Sequence, residues 1–213
     1  MPLQNRVDPY GQLLAVEARG VFMGNRGILH DAEKHVIAAW RSRRWITCVL
    51  DFKGRRREVF APRRYSELFF LDEATSLAAG HRPCAECRRS RFKEFCAAWA
   101  TGNADHVVSQ PLSADTIDRV LHSERVRHGG AKKTYPAVLS TLPAGSIAEH
   151  EGRAHLIWAG QLRPWSFAGY GPALSVLPAT EVTVLTPKSI VQAISAGFVP
   201  QVHSLSDHPV EFQ

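Results

Sequence analysis

Apolar positions recur along this chain with two different periods, and the two periods separate its helices from its strands. Phe92, Phe95, Cys96 and Trp99 follow one another at helical spacing and predict a helix after Arg89. Ile117, Val120 and Leu121 mark one face of another over 115–126, stopped by Gly129-Gly130. A shorter helix lies between Asp72, a capping residue, and Gly80, a stop. Asp31 is likewise placed to cap a helix running to Trp40. Residues 45–52 read as a strand, Lys53-Gly54 as a turn and residues 56–60 as the returning strand, ended by Pro62. From Gly145 onward short strands dominate: 146–150, 154–158 and 161–165, punctuated by Glu151-Gly152 and Ala159-Gly160, then 181–185. Thr186-Pro187 opens a last helix, which Gly197 closes.

These elements predict an α+β fold. A β-hairpin, helix, Cys-x-x-Cys knuckle and helix occupy roughly 45–100, and a helix with a β-meander or barrel-like region follows. The turn at 101–105 and the stretch to Ser113 suggest a boundary, giving a domain over 1–110 with an N-terminal extension and a second over 111–213. At 213 residues the chain is long enough to bury a substantial core. No apolar run reaches about 18 residues, so no membrane span is expected. The first residues lack the apolar segment of a signal peptide, and a cytoplasmic location is expected.

Charge adds a partner class. Between Lys53 and Lys93 there are eleven basic residues and five acids, which accounts for the whole net charge of +6. Nine of the eleven are arginines: Arg55, Arg56, Arg57, Arg63, Arg64, Arg82, Arg88, Arg89 and Arg91. Their planar forks suit phosphate, and a localised basic patch is the electrostatic footprint of nucleic-acid binding. The alternative is a solvated charged surface.

The chemistry-bearing motif is Cys84-Ala85-Glu86-Cys87. Two thiolates at this spacing can share one tetrahedral metal ion. Four cysteines in this length do not make a secreted disulfide framework, and no βαβ frame surrounds the pair as in a thioredoxin-like redox motif. Further ligands are open among Cys48, Cys96, His81, His30 and His35. Cys48 alternates with Ile46, Leu50 and Phe52, and Cys96 lies in a helical apolar stripe, so both read first as core thiols. A fold whose metal has been lost, with Cys84 and Cys87 packed as thiols, is the competing reading.

Around the knuckle the run Ala74, Leu77, Ala78, Ala79, Gly80, His81, Arg82, Pro83, Cys84 and Cys87 resembles the zinc-binding module of Ada-type proteins, bacterial methyl-DNA repair regulators. The match is tight over about twenty residues and looser over roughly 56–89. The resemblance implies a β-hairpin ahead of the helix, zinc at the knuckle, and DNA as partner in repair or regulation. The family's earlier cysteine pair has no counterpart between Arg55 and Phe70, which hold neither cysteine nor histidine. Methyl-acceptor chemistry and a four-thiolate site therefore do not carry over.

The leading expectation is a DNA-binding protein using the nine arginines, with Cys84 and Cys87 as zinc ligands. The alternative is a nuclease- or hydrolase-type enzyme with a histidine-based site drawn from His122, Glu124, His150 and His155. Trp158, Trp165, Phe167 and Tyr170 read as β-region core before they read as base-stacking residues. Gly20, Gly24 and Gly27 lack the flanking strand and helix of a phosphate loop.

Overall fold

The computed structural model describes residues 1–55, 58–107, 112–127 and 130–205. Two open six-stranded sheets and four α-helices make up an α+β architecture, with no closed barrel among the described residues. In the first sheet are β1 (Arg6–Val7), β2 (Leu13–Leu14), β3 (Phe22–Asn25), β4 (Ile46–Val49), β5 (Leu68–Phe70) and β6 (Arg82–Pro83). Their order is β2-β1-β5-β3-β4-β6, with β1–β5 and β4–β6 parallel and the rest antiparallel. Helix α1 (Glu73–Ala78) makes the crossover from β5 to β6, and α2 (Arg89–Gly102) and α3 (Ala114–Arg125) follow. The second sheet contains β7 (Tyr135–Val138), β8 (Ile147–His150), β9 (Arg153–Trp158), β10 (Gln161–Ser166), β11 (Gly169–Tyr170) and β12 (Glu181–Val184). It is antiparallel throughout, in the order β11-β10-β9-β8-β12-β7, and α4 (Lys188–Ser195) ends the regular structure.

Helix α1 is short because both of its ends are specified. The Asp72 carboxylate accepts from the Thr75 amide at 2.7 Å and caps the start. At the far end the His81 amide donates to Ser76 O and the Gly80 amide to Leu77 O, both at 2.9 Å, with Gly80 at φ +90°. That pair of bonds is the Schellman arrangement. A side chain at Gly80 would meet Arg125 Cδ at 2.6 Å, so glycine is needed for space as well as for backbone angle.

Every residue of α1 is buried, and its small side chains let three layers close on it. Leu77 packs with Phe95 and Trp99 of α2, Ile117 of α3 and Ile190 of α4. Ala74 and Ala78 face Ile147, Leu156 and Leu185 beside the second sheet. Ala79, just past the helix, lies against Phe22, Leu68 and Phe70 of the first sheet. The segments expected as two domains thus both contribute to the clusters around this helix. Trp165 and Tyr170 also turn toward α1: the indole donates to Thr75 Oγ1 at 3.0 Å and the phenol to Asp72 Oδ2 at 2.7 Å.

Two expected elements are corrected. No helix forms over 31–40; Asp31 instead accepts from the His35 amide at 2.8 Å in a turn, and His30 bridges Val36. The capping residue alone does not make a helix there, because no apolar face is buried: Ile37 is exposed. The hairpin expected from 45–60 is also different. β4 pairs with β3 and β6, and residues 58–60 carry no strand. The meander expected after Gly145 does form, and Glu151-Gly152 and Ala159-Gly160, all at positive φ, make its two tight turns. No helix among the described residues is long and apolar enough to cross a membrane.

Candidate metal centre

The parallel pairing of β4 with β6 assembles the site. The Cys84 amide donates to Thr47 O at 2.9 Å, which extends the β4–β6 ladder to the knuckle and sets it beside Cys48. The turn then folds back, with the Arg88 amide donating to Cys84 O at 3.2 Å as α2 begins. As a result Cys48, Cys84 and Cys87 place their sulfurs all within 4.8 Å of one another. Four-coordinate zinc with Zn–S of about 2.3 Å holds its sulfurs about 3.8 Å apart, so a small contraction would seat an ion. All three cysteines are free thiols.

Backbone donors prepare the sulfurs for negative charge. The Glu86 amide donates to Cys84 Sγ at 3.4 Å, and the Cys87 amide also supports that sulfur. The Val49 amide supports Cys87. Hydrogen bonds from the Cys48 and Cys87 thiols, followed by these amides, hold the Cys84 thiol well below its ordinary range. Cys48 shifts the opposite way, because its proton is shared with Cys84 and Cys87 and because it is buried. Only one thiolate is comfortable in so small a volume until a cation neutralises the others.

The cluster opens onto a cavity of about 350 Å³. Met23, Phe52 and Phe69 give it an apolar wall, and buried Glu67 lines it while accepting from the Phe60 amide at 2.9 Å. Arg55 and Glu86, joined at 2.9 Å, also line it. On the other side of Cys87 a second cavity, of about 510 Å³, is lined by Phe22, Arg89 and Gln201 among others. Among the described residues no fourth cysteine, histidine or carboxylate joins the three sulfurs. A metal ion such as zinc held by these three soft donors would have a fourth position open to an exchangeable ligand.

Cys48 is buried, as its apolar alternation suggests, but its face of the strand also lines the cavity beside the two knuckle sulfurs, and Leu50 on that face is 52% exposed. The other candidate ligands lie elsewhere. Cys96 packs against the helical cluster, where burial pushes its thiol up to about 11. His30 contacts Ser66 Oγ at 2.6 Å and stacks on Phe60, while His35 sits in the open beside Asp31. His81 is fully buried against Phe70 and accepts from Arg26 Nε at 3.2 Å.

The His81 environment has a measurable consequence. Burial, then Arg26 and Arg125, push its pKa well below the ordinary histidine range, so it stays neutral in the folded protein. The unfolded chain takes up that proton below about pH 6.5 and the folded protein does not. Stability is therefore lost as pH falls, by about 1 kcal/mol between pH 6.5 and 5.5 from this group. Urea unfolding at pH 6.5 and 5.5 should show that component in the wild type and lose it in His81→Gln. An unchanged slope in the variant would assign the acid sensitivity to other groups.

The nine arginines divide. Arg82 is buried and pairs with Asp118 through two bonds, at 2.9 and 2.7 Å. Arg88 is buried against Glu73 at 2.8 Å, and Arg91 reaches the same carboxylate at 2.6 Å. All three have internal partners; Arg82 and Arg88 are buried, whereas Arg91 is part-exposed and lines the second cavity with Arg89. Arg55, Arg63, Arg64 and Arg89 are exposed, and Arg56 and Arg57 lie outside the described residues. The histidine-based alternative finds no common pocket. His122 packs on Trp40 and Glu124 holds Ser189 at the start of α4, whereas His150 and His155 line a separate cavity of about 270 Å³. No family model, curated protein or solved structure matches this chain.

Proposed function

We propose that this is a zinc-binding protein whose three-thiolate centre, Cys48, Cys84 and Cys87, is presented to DNA by the exposed arginines at its margin. The observation that carries the reading is the convergence of the three sulfurs within 4.8 Å in the lining of a cavity. Zinc is favoured because soft thiolate donors in a four-coordinate arrangement suit it and because the knuckle resembles the Ada-type module. Arg55 lines the cavity holding the cysteines and Arg89 the one adjoining Cys87, so a bound phosphate backbone would pass beside the metal. Arg63 and Arg64 extend the same class of contact. A role in repair or regulation of DNA belongs to this reading through the resemblance alone.

Zinc content and DNA affinity test the two halves separately. Purified protein should contain about one zinc per chain and bind duplex DNA with an affinity that falls steeply with salt. Arg55→Ala/Arg89→Ala should keep the zinc, weaken binding equally on all sequences, and reduce the salt slope by about 2. Absence of zinc in the wild type contradicts the metal assignment. Zinc present with no DNA affinity at low salt contradicts only the partner.

A further inference from the structure

Away from the cysteines, the interior holds more positive charge than its neighbours balance. Arg26 and Arg125 are 2% and 1% exposed, and the carbon of each guanidinium lies 4.1 Å from the centre of the Trp45 ring. Lys132 inserts its ammonium between them and the end of α1, donating to Ala78 O. Other bonds are to neutral groups: Arg26 to Gly11 O at 2.8 Å, and Arg125 to Gly80 O at 2.8 Å and Arg43 O at 2.6 Å. Arg26 Nη2 and Arg125 Nε are buried with no hydrogen-bond partner.

The carboxylates nearby do not offset three cations. Asp118 is taken up by the two bonds from Arg82. Asp8 is the remaining one, and its Oδ1 accepts from the Gln12 amide at 2.8 Å. The carbonyls ending α1 add partial negative charge, roughly half a unit. Burial, joined for Lys132 and Arg125 by repulsion from neighbouring cations, pushes Lys132 down to about 7 and both arginines down to about 9; Asp8 acts the other way on Arg26 and Lys132, and Asp118 on Arg125, without offsetting it. Leaving such charges uncompensated is strongly destabilising.

We propose that Arg26, Arg125 and Lys132 form a binding site for an oxyanion, the phosphate or carboxylate group of a small molecule. All three line one small internal cavity of about 30 Å³ with Tyr10, Gly11 and Gly130. Arg26, Lys132 and those same three residues also line an open groove of about 590 Å³, whose wall includes Leu13, Val36 and Ile37. The anionic head sits at the inner end of the groove against the cations, and an apolar body lies outward along that wall. Gly11 belongs to the inner wall: a Cβ there would sit 3.6 Å from Arg26 Nη2, and its backbone, at φ +81°, favours glycine. This site is independent of the zinc centre.

The test uses the whole protein, with inorganic phosphate and sodium benzoate as separate probes at 10 mM and sodium chloride matching ionic strength. Binding to the folded state raises Tm, so a rise of about 3 °C or more over chloride is expected with at least one probe. Phosphate alone raising Tm identifies a phosphate site, and benzoate alone a carboxylate site. Lys132→Met, which keeps the aliphatic stem, should abolish the rise. Calorimetric titration of the wild type gives the same answer without a variant: saturable binding near one site per chain supports the proposal. No rise and no saturable heat with either probe overturns it, as does a rise of equal size in Lys132→Met. In those cases the cations serve only to cap α1.

Discussion

Cys48→Ser protein will carry almost no zinc after purification, while Cys96→Ser protein will keep about one ion per chain. The two substitutions are chemically identical, and sequence alone places both cysteines in apolar stripes. The difference is position: Cys48 lies within 4.8 Å of the knuckle sulfurs, and Cys96 packs with the α2 cluster. Loss of a mere supporting partner of a metal ligand costs about 10–100-fold in affinity, so loss of one of three thiolates should cost at least about a hundredfold. Metal binding is also coupled to folding. Chelation should therefore lower the wild-type Tm and leave Cys48→Ser, already metal-free, nearly unmoved. Full zinc occupancy in Cys48→Ser would show that the knuckle finds its ligands elsewhere.

The second large effect lies at the start of α1. Glu73 is fully buried and its two oxygens are held by Arg88 at 2.8 Å, Arg91 at 2.6 Å and the Gln201 amide at 2.9 Å. Arg88 also donates to Gln201 Oε1 at 2.6 Å, so this carboxylate ties α1, α2 and the C-terminal segment together. Glu73→Gln preserves size but leaves Arg88, almost wholly inside the protein, without its counter-charge, while Arg91 keeps Glu94. Breaking a buried pair from one side costs about 3–5 kcal/mol. For a chain of this length that is a fall in Tm of about 10 °C. Glu94→Gln removes the other, half-exposed partner of Arg91 and should cost less than about 1 kcal/mol. Similar losses in the two variants would mean that the Glu73 cluster is not a stabilising tie.

Local signals in the sequence were legible where a short stretch decides its own structure. Asp72 and Gly80 bound α1, the aromatic spacing from Phe92 to Trp99 marks α2, and the glycine turns punctuate the second sheet. What was not legible depends on pairing between distant segments. Cys48 joins Cys84 only because β4 lies parallel to β6, and nothing within either strand announces that neighbour. Arg82 and Arg88 look like surface charge until Asp118 and Glu73 are brought against them. The cationic site is built from Arg26, Arg125 and Lys132, on three separate segments, and no motif links them. The segment 31–40 shows the converse: a capping residue suggests a helix, but with Ile37 exposed there is no buried face to hold one.

X-ray absorption at the zinc edge on the purified wild-type protein tests the central claim most directly. Three sulfur neighbours at about 2.3 Å and one lighter oxygen or nitrogen neighbour at about 2.0 Å are expected from Cys48, Cys84, Cys87 and an open position toward the cavity. A shell of four sulfurs, of two sulfurs, or of oxygen and nitrogen alone would contradict it.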